Sequence, residues 1–378
     1  MGSCHETGPK LIRCKAAVCR VPGEPLVFEE VVVAPPKAFE VRIKIICSSL
    51  CHTDISYWRS KEFAPSILGH ETVGIVESVG EGAEEVAVGD RVVPMFQPNC
   101  RKCGPCRSEK SNLCDAVQAR SFGMPRDGTS RITDAAGASL TNLFGISSFS
   151  EYTVVDVASI VKVDPNMPPD RVCPLSCGIS TGLGAAWRVA DVEAGSSVVI
   201  FGLGAVGLAV AEGARLRGAA KIIGVDLNPN KILIGKKFGI TDFINPKEIG
   251  EKPVNEIVKE LTKGGADYSF ECIGLTSTMN EAFRSSKNGG KTIILGLDVK
   301  GSLCINTEEL LFGKTIVGSI LGGTKVKVDI PIFIKKYLDK ELQLDEFITH
   351  QIGFDEINKA FDLLNAGECI RCIIWMDK

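Results

Sequence analysis

The stretch "SVVIFGLGAVGLAVAEGARLRGAAKIIGVD", residues 197–226, decides the fold. An apolar strand, a glycine turn, a helix and a second apolar strand follow one another without interruption. Gly202, Gly204 and Gly207 form G-x-G-x-x-G between the first strand and the helix. In such a unit the first glycine permits the tight turn, the second lets a pyrophosphate approach the backbone, and the third allows close helix–strand packing. The helix start offers N–H donors to phosphate. Asp226 ends the second strand 24 residues after Gly202, where an acid binds ribose hydroxyls and repels a 2′-phosphate. The unit therefore reads as an NAD site.

Downstream, the same alternation continues: "ILIGKKFG" then "DFIN", "NEIVKELT" then "DYSFECIG", "MNEAFRSS" then "GKTIILGL". Strands alternating with helices imply a parallel sheet covered on both faces. Upstream, before residue 150, period-two alternation with frequent Gly and Pro predicts short antiparallel strands. In "EVRIKIICSS", Val41, Ile43 and Ile45 share one face while Arg42 and Lys44 take the other. The chain ends in a helix and a strand, "DEINKAFDLLNAGECIRCIIWMDK".

The 378 residues suffice for two domains, with 44% hydrophobic and 24% charged residues and a net charge of −3. That balance offers no basic surface for nucleic acid or acidic lipid. No apolar run approaches the roughly 18 residues of a membrane span. "MGSCHETGPK" lacks a signal-peptide core, and Glu6 stands where a myristoylation motif needs Ser or Thr. A cytoplasmic location is expected.

In that compartment, fifteen cysteines argue against a disulfide framework. "CRKCGPCRSEKSNLC", residues 100–114, places Cys100, Cys103, Cys106 and Cys114 in one hydrophilic loop. Tetrahedral zinc takes four thiolates in closed structural sites, and Arg101, Lys102, Arg107 and Lys110 offset the charge of such a centre. An iron–sulfur cluster and unrelated free thiols are the alternatives, and the tight spacing favours zinc. Cys4, Cys14, Cys19, Cys47, Cys173, Cys272, Cys304, Cys369 and Cys372 sit singly and read as small buried hydrophobes. A dispersed set, "CHTD" (51–54), "GHE" (69–71) and Cys177 in "LSCGISTG", could supply the Cys₂His ligands of an open catalytic zinc. Spacing alone leaves that open, since a lone His or Cys is usually structural.

Together these residues resemble the zinc-dependent medium-chain alcohol dehydrogenases, from "CKAAVCR" to "ECIRCII", with "CHTD" in the form of plant members. The resemblance implies a GroES-like, β-rich catalytic domain at 1–178 and 321–378, with a structural zinc lobe at 95–118. An inserted Rossmann domain, a doubly wound parallel α/β sheet, would occupy 179–320. It implies two zinc ions per subunit: Cys51, His70 and Cys177 at the catalytic one, and Cys100, Cys103, Cys106 and Cys114 at the structural one. Asp54 would orient His70, Glu71 would lie beside the ligands, and Thr53 would contact the substrate oxygen. NAD would meet His52, Thr181, Gly202, Gly204, Val206, Gly207, Asp226, Lys231 and Leu295, with Arg371 on its pyrophosphate. Met95, Phe96, Trp58, Leu143, Leu297, Ile320 and Leu321 would line an apolar pocket.

The implied reaction is reversible oxidation of a small-molecule alcohol to an aldehyde or ketone, with hydride passing to NAD. The alternatives are a cyanohydrin-type lyase on the same scaffold and an S-(hydroxymethyl)glutathione dehydrogenase. Gln118 stands where the latter branch carries a substrate-binding Arg. His52 replaces an Arg of some members, and Ser56 occupies the position of a proton-relaying His. His5 and His350 match no family ligand. Only eighteen residues separate Cys51 from His70, which shortens the pocket loop. The segment 116–149 and the strand in "TIVGSILGG" resemble those of homodimeric members.

Overall fold

The computed structural model describes residues 10–378, so Cys4 and His5 lie outside the described residues. The chain divides into two units: 10–177 with 325–334 and 348–378, and 178–324 with 335–347. The second unit thus takes in 335–347, where Phe347 packs on Phe238 with ring centroids 4.5 Å apart. Arg215 there donates to the Glu341 carbonyl.

The second unit holds a six-stranded, wholly parallel sheet. Across it lie Asp242–Ile244, Lys221–Val225, Ser197–Phe201, Ala266–Glu271, Ser286–Ile294 and Thr315–Gly318. In chain order this is 3-2-1-4-5-6, the doubly wound arrangement whose ligand crevice opens where the order reverses. Ser197–Phe201 and Ala266–Glu271 flank that reversal, and the glycine turn leaves the first of them. Val199, Phe201, Ile223 and Val225 are buried in the sheet core with Val258 and Ala282 from the covering helices Val254–Thr262 and Thr276–Ser285.

The first unit contains a five-stranded and a seven-stranded sheet. Their pairings are antiparallel except Ser66–Ile67 with Thr141–Asn142 and Ile348–Gly353 with Arg371–Trp375. The C-terminal strand Arg371–Trp375 pairs with Glu40–Ser49, so both chain ends build one sheet. Val41, Ile43 and Ile45 are buried as their alternation predicts. Arg42, placed by that alternation on the opposite face, is also buried, at 1% exposed. Its guanidinium pairs with Glu77 at 2.6 Å and donates to the Lys10 carbonyl at 2.6 Å, which offsets part of the cost of burying the charge.

Among the single cysteines, Cys14, Cys19, Cys47, Cys173, Cys369 and Cys372 are buried as expected. Cys272 is only partly covered, and Cys304 is exposed, contrary to its apolar context. Cys304 lies in a coil of exposed residues between a strand and a short helix, with no sheet or core to cover it.

Candidate active site

Cys51 caps the helix His52–Trp58, and Asp54 in its first turn accepts the Cys51 N–H at 3.1 Å. The same buried carboxylate accepts the Gly69 N–H at 2.9 Å and lies 3.0 Å from His70 Nδ1. Nδ1 is engaged by that carboxylate, which leaves Nε2 as the nitrogen that faces the cluster. Nε2 is buried without a hydrogen-bond partner. Gly69 sits at φ +90°, and a Cβ there would meet Ser148 Oγ at 2.5 Å, so only glycine lets the chain deliver His70.

One ligand atom from each of Cys51, His70, Glu71 and Cys177 falls within 4.8 Å of all the others. Glu71 Oε1 accepts from Arg371 Nη2 at 3.0 Å, and the same nitrogen lies 3.8 Å from Cys51 Sγ. Arg371, expected at a pyrophosphate, is therefore 3% exposed and turned onto Glu71.

Cys177, followed by Arg371 and His70, draws the Cys51 thiol well below its usual range against burial, while Cys51 and burial push Cys177 up. Burial opposes a charged His70, but the Asp54 carboxylate outweighs it and raises the imidazole well above its usual value. Two sulfurs and an orphaned imidazole nitrogen, gathered with Glu71 already matched by Arg371, form a cluster that a cation would satisfy. The donor set fits zinc with one position to spare.

The lobe is built differently. Cys100, Cys103, Cys106 and Cys114 also gather their sulfurs within 4.8 Å. Sulfur pairs 4.0 Å apart are too distant for a disulfide, and four thiols fit a closed zinc site. Backbone N–H groups point at the sulfurs: Cys103 at 3.3 Å and Lys102 at 3.4 Å from Cys100 Sγ, and Val117 at 3.4 Å from Cys114 Sγ. Burial raises the Cys103 thiol, but the N–H groups of Cys106 and Asp115 outweigh it and bring it down to about 6. Arg101, Lys102, Arg107 and Lys110 all face solvent. The buried cation at the lobe is Lys325, whose ammonium donates to the Ser108 carbonyl. No sequence spacing points to it.

In the second unit the three glycines behave as their motif requires. Gly202 adopts φ +90°, a Cβ on Gly204 would stand in open space at the helix start, and a Cβ on Gly207 would lie 1.9 Å from the Gly202 carbonyl. Asp226 accepts the Leu203 N–H and the Asn228 N–H, each at 2.8 Å. It thereby ties its strand end to the turn. Val206 is half-buried in the first helical turn, Lys231 begins the helix Lys231–Lys237, and Leu295 follows its strand with its N–H on the Glu271 carbonyl at 2.9 Å. Thr181 is half-buried in the helix Gly178–Gly184. Glu271, which no motif announced, is fully buried and shapes the next turn through the Ile273 and Gly274 N–H groups.

The expected pocket list is partly rearranged. Phe96, named on that list, stands by His70, whereas Met95 and Leu143 are wholly buried and Phe144, the neighbour of Leu143, meets the His70 ring. Trp58 packs on Phe361 with its indole N–H on the Glu24 carbonyl at 2.6 Å. Leu297 and Ile320 are exposed, and Leu321 is buried. Thr53 is half-buried beside Cys51, and His52 is exposed.

Two family models match, the alcohol dehydrogenase GroES-like domain at 37–165 and the zinc-binding dehydrogenase at 205–336. Alcohol dehydrogenase-like 2 of Arabidopsis thaliana is 57% identical over 384 residues, covering 98% of each chain. The chain belongs to the zinc-binding alcohol dehydrogenases. This alcohol dehydrogenase also matches solved structures over 97% of its length. One is an alcohol dehydrogenase zinc-binding domain protein from Burkholderia ambifaria, with TM-score 0.90, 30% identity and 99% of that chain covered. Another is benzyl alcohol dehydrogenase from Acinetobacter calcoaceticus, with TM-score 0.85, 29% identity and 99% covered. No helix among the described residues of the dehydrogenase is long and apolar enough to cross a membrane.

Proposed function

We propose that this dehydrogenase interconverts alcohols with aldehydes or ketones using NAD, with one zinc at the Cys51–His70–Cys177 centre and a second in the lobe. The observation that carries the reading is His70: Asp54 occupies Nδ1, and the buried Nε2 is left facing two sulfurs without a hydrogen-bond partner. Bound zinc would supply the Lewis acidity that lets an alcohol hydroxyl ionise near neutral pH, and NAD the hydride acceptor.

The protein's own groups do the rest. Asp54 fixes the His70 tautomer and the start of the Cys51 helix. Arg371 neutralises Glu71, so the buried carboxylate does not compete as a free charge. Thr53, two residues after Cys51, takes the proton from the substrate hydroxyl and passes it outward. Gly202, Gly204 and Gly207 leave room and donors for the pyrophosphate, while Asp226 and Lys231 hold the adenosine ribose. Val206, Thr181, Leu295 and His52 complete the cofactor contacts.

The comparisons favour this redox reading over the lyase and the glutathione-dependent activity. We further place the protein in the cytosol as a homodimer, joined through the edge strand Thr315–Gly318, beside which Leu311 and Phe312 are exposed.

The test is a panel of primary and secondary alcohols, benzyl alcohol included, assayed with NAD⁺ at the reduced-nicotinamide absorbance, together with metal analysis. Rising absorbance and two zinc ions per chain are expected. No absorbance change with any alcohol, or one zinc in a fully active enzyme, overturns the corresponding part.

A further inference from the structure

Resting on the alcohol dehydrogenase reading above, we propose that the substrate carries an aryl group, held by a run of aromatic side chains that begins at His70. Phe144 meets the His70 ring edge-on with centroids 5.5 Å apart, and Phe96 does so at 6.2 Å. From Phe144 the run continues to Tyr57 at 5.5 Å, and from Tyr57 to Phe122 at 5.4 Å and Phe63 at 5.3 Å. Phe63 and Phe122 stack at 3.8 Å.

Tyr57, Phe122 and Phe144 pack on the core of the first unit, and three observations mark the run out from the rest of it. Phe149, Phe238 and Phe347 are wholly buried, whereas all five rings of the run are only half-buried and keep surface to offer. Phe144 holds φ +54°, a conformation rare for a bulky residue, and it does so where its ring meets a zinc-site histidine. The shortened segment between Cys51 and His70 supplies both Tyr57 and Phe63, so the loop itself carries the run.

The chemistry of the rings then selects the ligand. Aromatic rings have negative faces and positive edges, so an aryl guest gains edge and offset contacts beyond its buried area. A saturated ring of the same size gains burial alone. Beyond His70 the rings carry one polar group, the Tyr57 hydroxyl, and it donates to Ser121 Oγ at 3.2 Å, so its proton is already engaged rather than turned to a carboxylate. The substrate class is therefore an uncharged aryl-substituted alcohol or its aldehyde.

The experiment compares benzyl alcohol, cyclohexylmethanol and hexan-1-ol with NAD⁺ in the parent protein and in Tyr57→Leu and Phe122→Leu. In the parent, kcat/KM for benzyl alcohol should exceed that for cyclohexylmethanol by roughly ten-fold, the scale of one or two aromatic contacts. Each substitution should bring that ratio towards one. A parent ratio at or below one overturns the proposal, as does a ratio untouched in both variants. If the variants fail to fold, the parent ratio decides. If hexan-1-ol is oxidised as well as benzyl alcohol, only the aryl assignment falls. If no alcohol is oxidised, the dehydrogenase reading falls, and calorimetry of benzyl alcohol against cyclohexylmethanol binding to the zinc- and NAD-loaded protein still tests the aromatic run.

Discussion

The lobe at residues 100–114 and the centre at Cys51, His70 and Cys177 gather soft ligands to the same closeness, within 4.8 Å, yet they are made in opposite ways. The lobe draws four thiols from one loop, steadies them with backbone N–H groups, and leaves all four of the residues expected to balance its charge in solvent. The open centre draws three ligands from distant points of the chain and buries them among charged partners, Asp54 on His70 and Arg371 on Glu71. Local wrapping would saturate an ion and order a segment. Long-range assembly would leave a position vacant and place the groups that tune it, which is what chemistry requires.

The comparison breaks most sharply if the two sites are damaged one at a time. His70→Ala should cut kcat/KM on the order of 10³-fold or more, since Lewis-acid stabilisation is worth several kcal/mol. The lobe zinc and the unfolding midpoint should change little. Cys103→Ser should instead remove the lobe zinc and destabilise the fold by about 4 kcal/mol, the scale of a lost structural metal. Metal analysis beside thermal unfolding reads both. Equal losses of stability in the two variants would erase the distinction.

Next in size is Thr53→Ala, with turnover falling on the order of 10²-fold if its hydroxyl is the first proton carrier. Single-turnover rates across pH check it, and a parent-like rate would remove Thr53 from the relay. Asp54→Asn should cost about 10- to 100-fold in zinc affinity or activity, the range for a group that orients a ligand. A zinc-competition titration measures the affinity part, and an unchanged affinity and rate would leave Asp54 a helix cap only.

The smallest effect belongs to Ser56. Its hydroxyl is exposed and donates to the His52 carbonyl at 3.1 Å, so it is engaged with its own helix. Ser56→Ala should change turnover less than two-fold or so. Ser56→His should raise oxidation near pH 7 more than at pH 9, because imidazole can hold and release a proton near neutrality. A pH–rate profile with the same gain at both values would exclude a relay at this position.

Much of the fold was legible because its signals are local. The glycine turn, the placement of Asp226 and the strand–helix alternation each fit within a few turns of chain, where backbone geometry alone dictates the residue type. The four lobe cysteines were readable for the same reason. The open centre was not: spacing alone left Cys51, His70 and Cys177 ambiguous, and only the likeness to a family joined them before the fold did. Alternation put Arg42 on the face opposite Val41 and Ile43 but left its burial unread, because period two reports which face a residue takes, not what covers that face.

The sequence by itself therefore determined the parallel sheet, the dinucleotide-type turn and the lobe's ligand set. Only the tertiary structure decided that Arg371 turns inward onto Glu71, that Lys325 is the lobe's buried cation, and that Phe144, rather than Leu143, stands by His70. These are choices between partners far apart in the chain. They are made by burial and charge pairing once the sheets are assembled, and no short-range pattern encodes them.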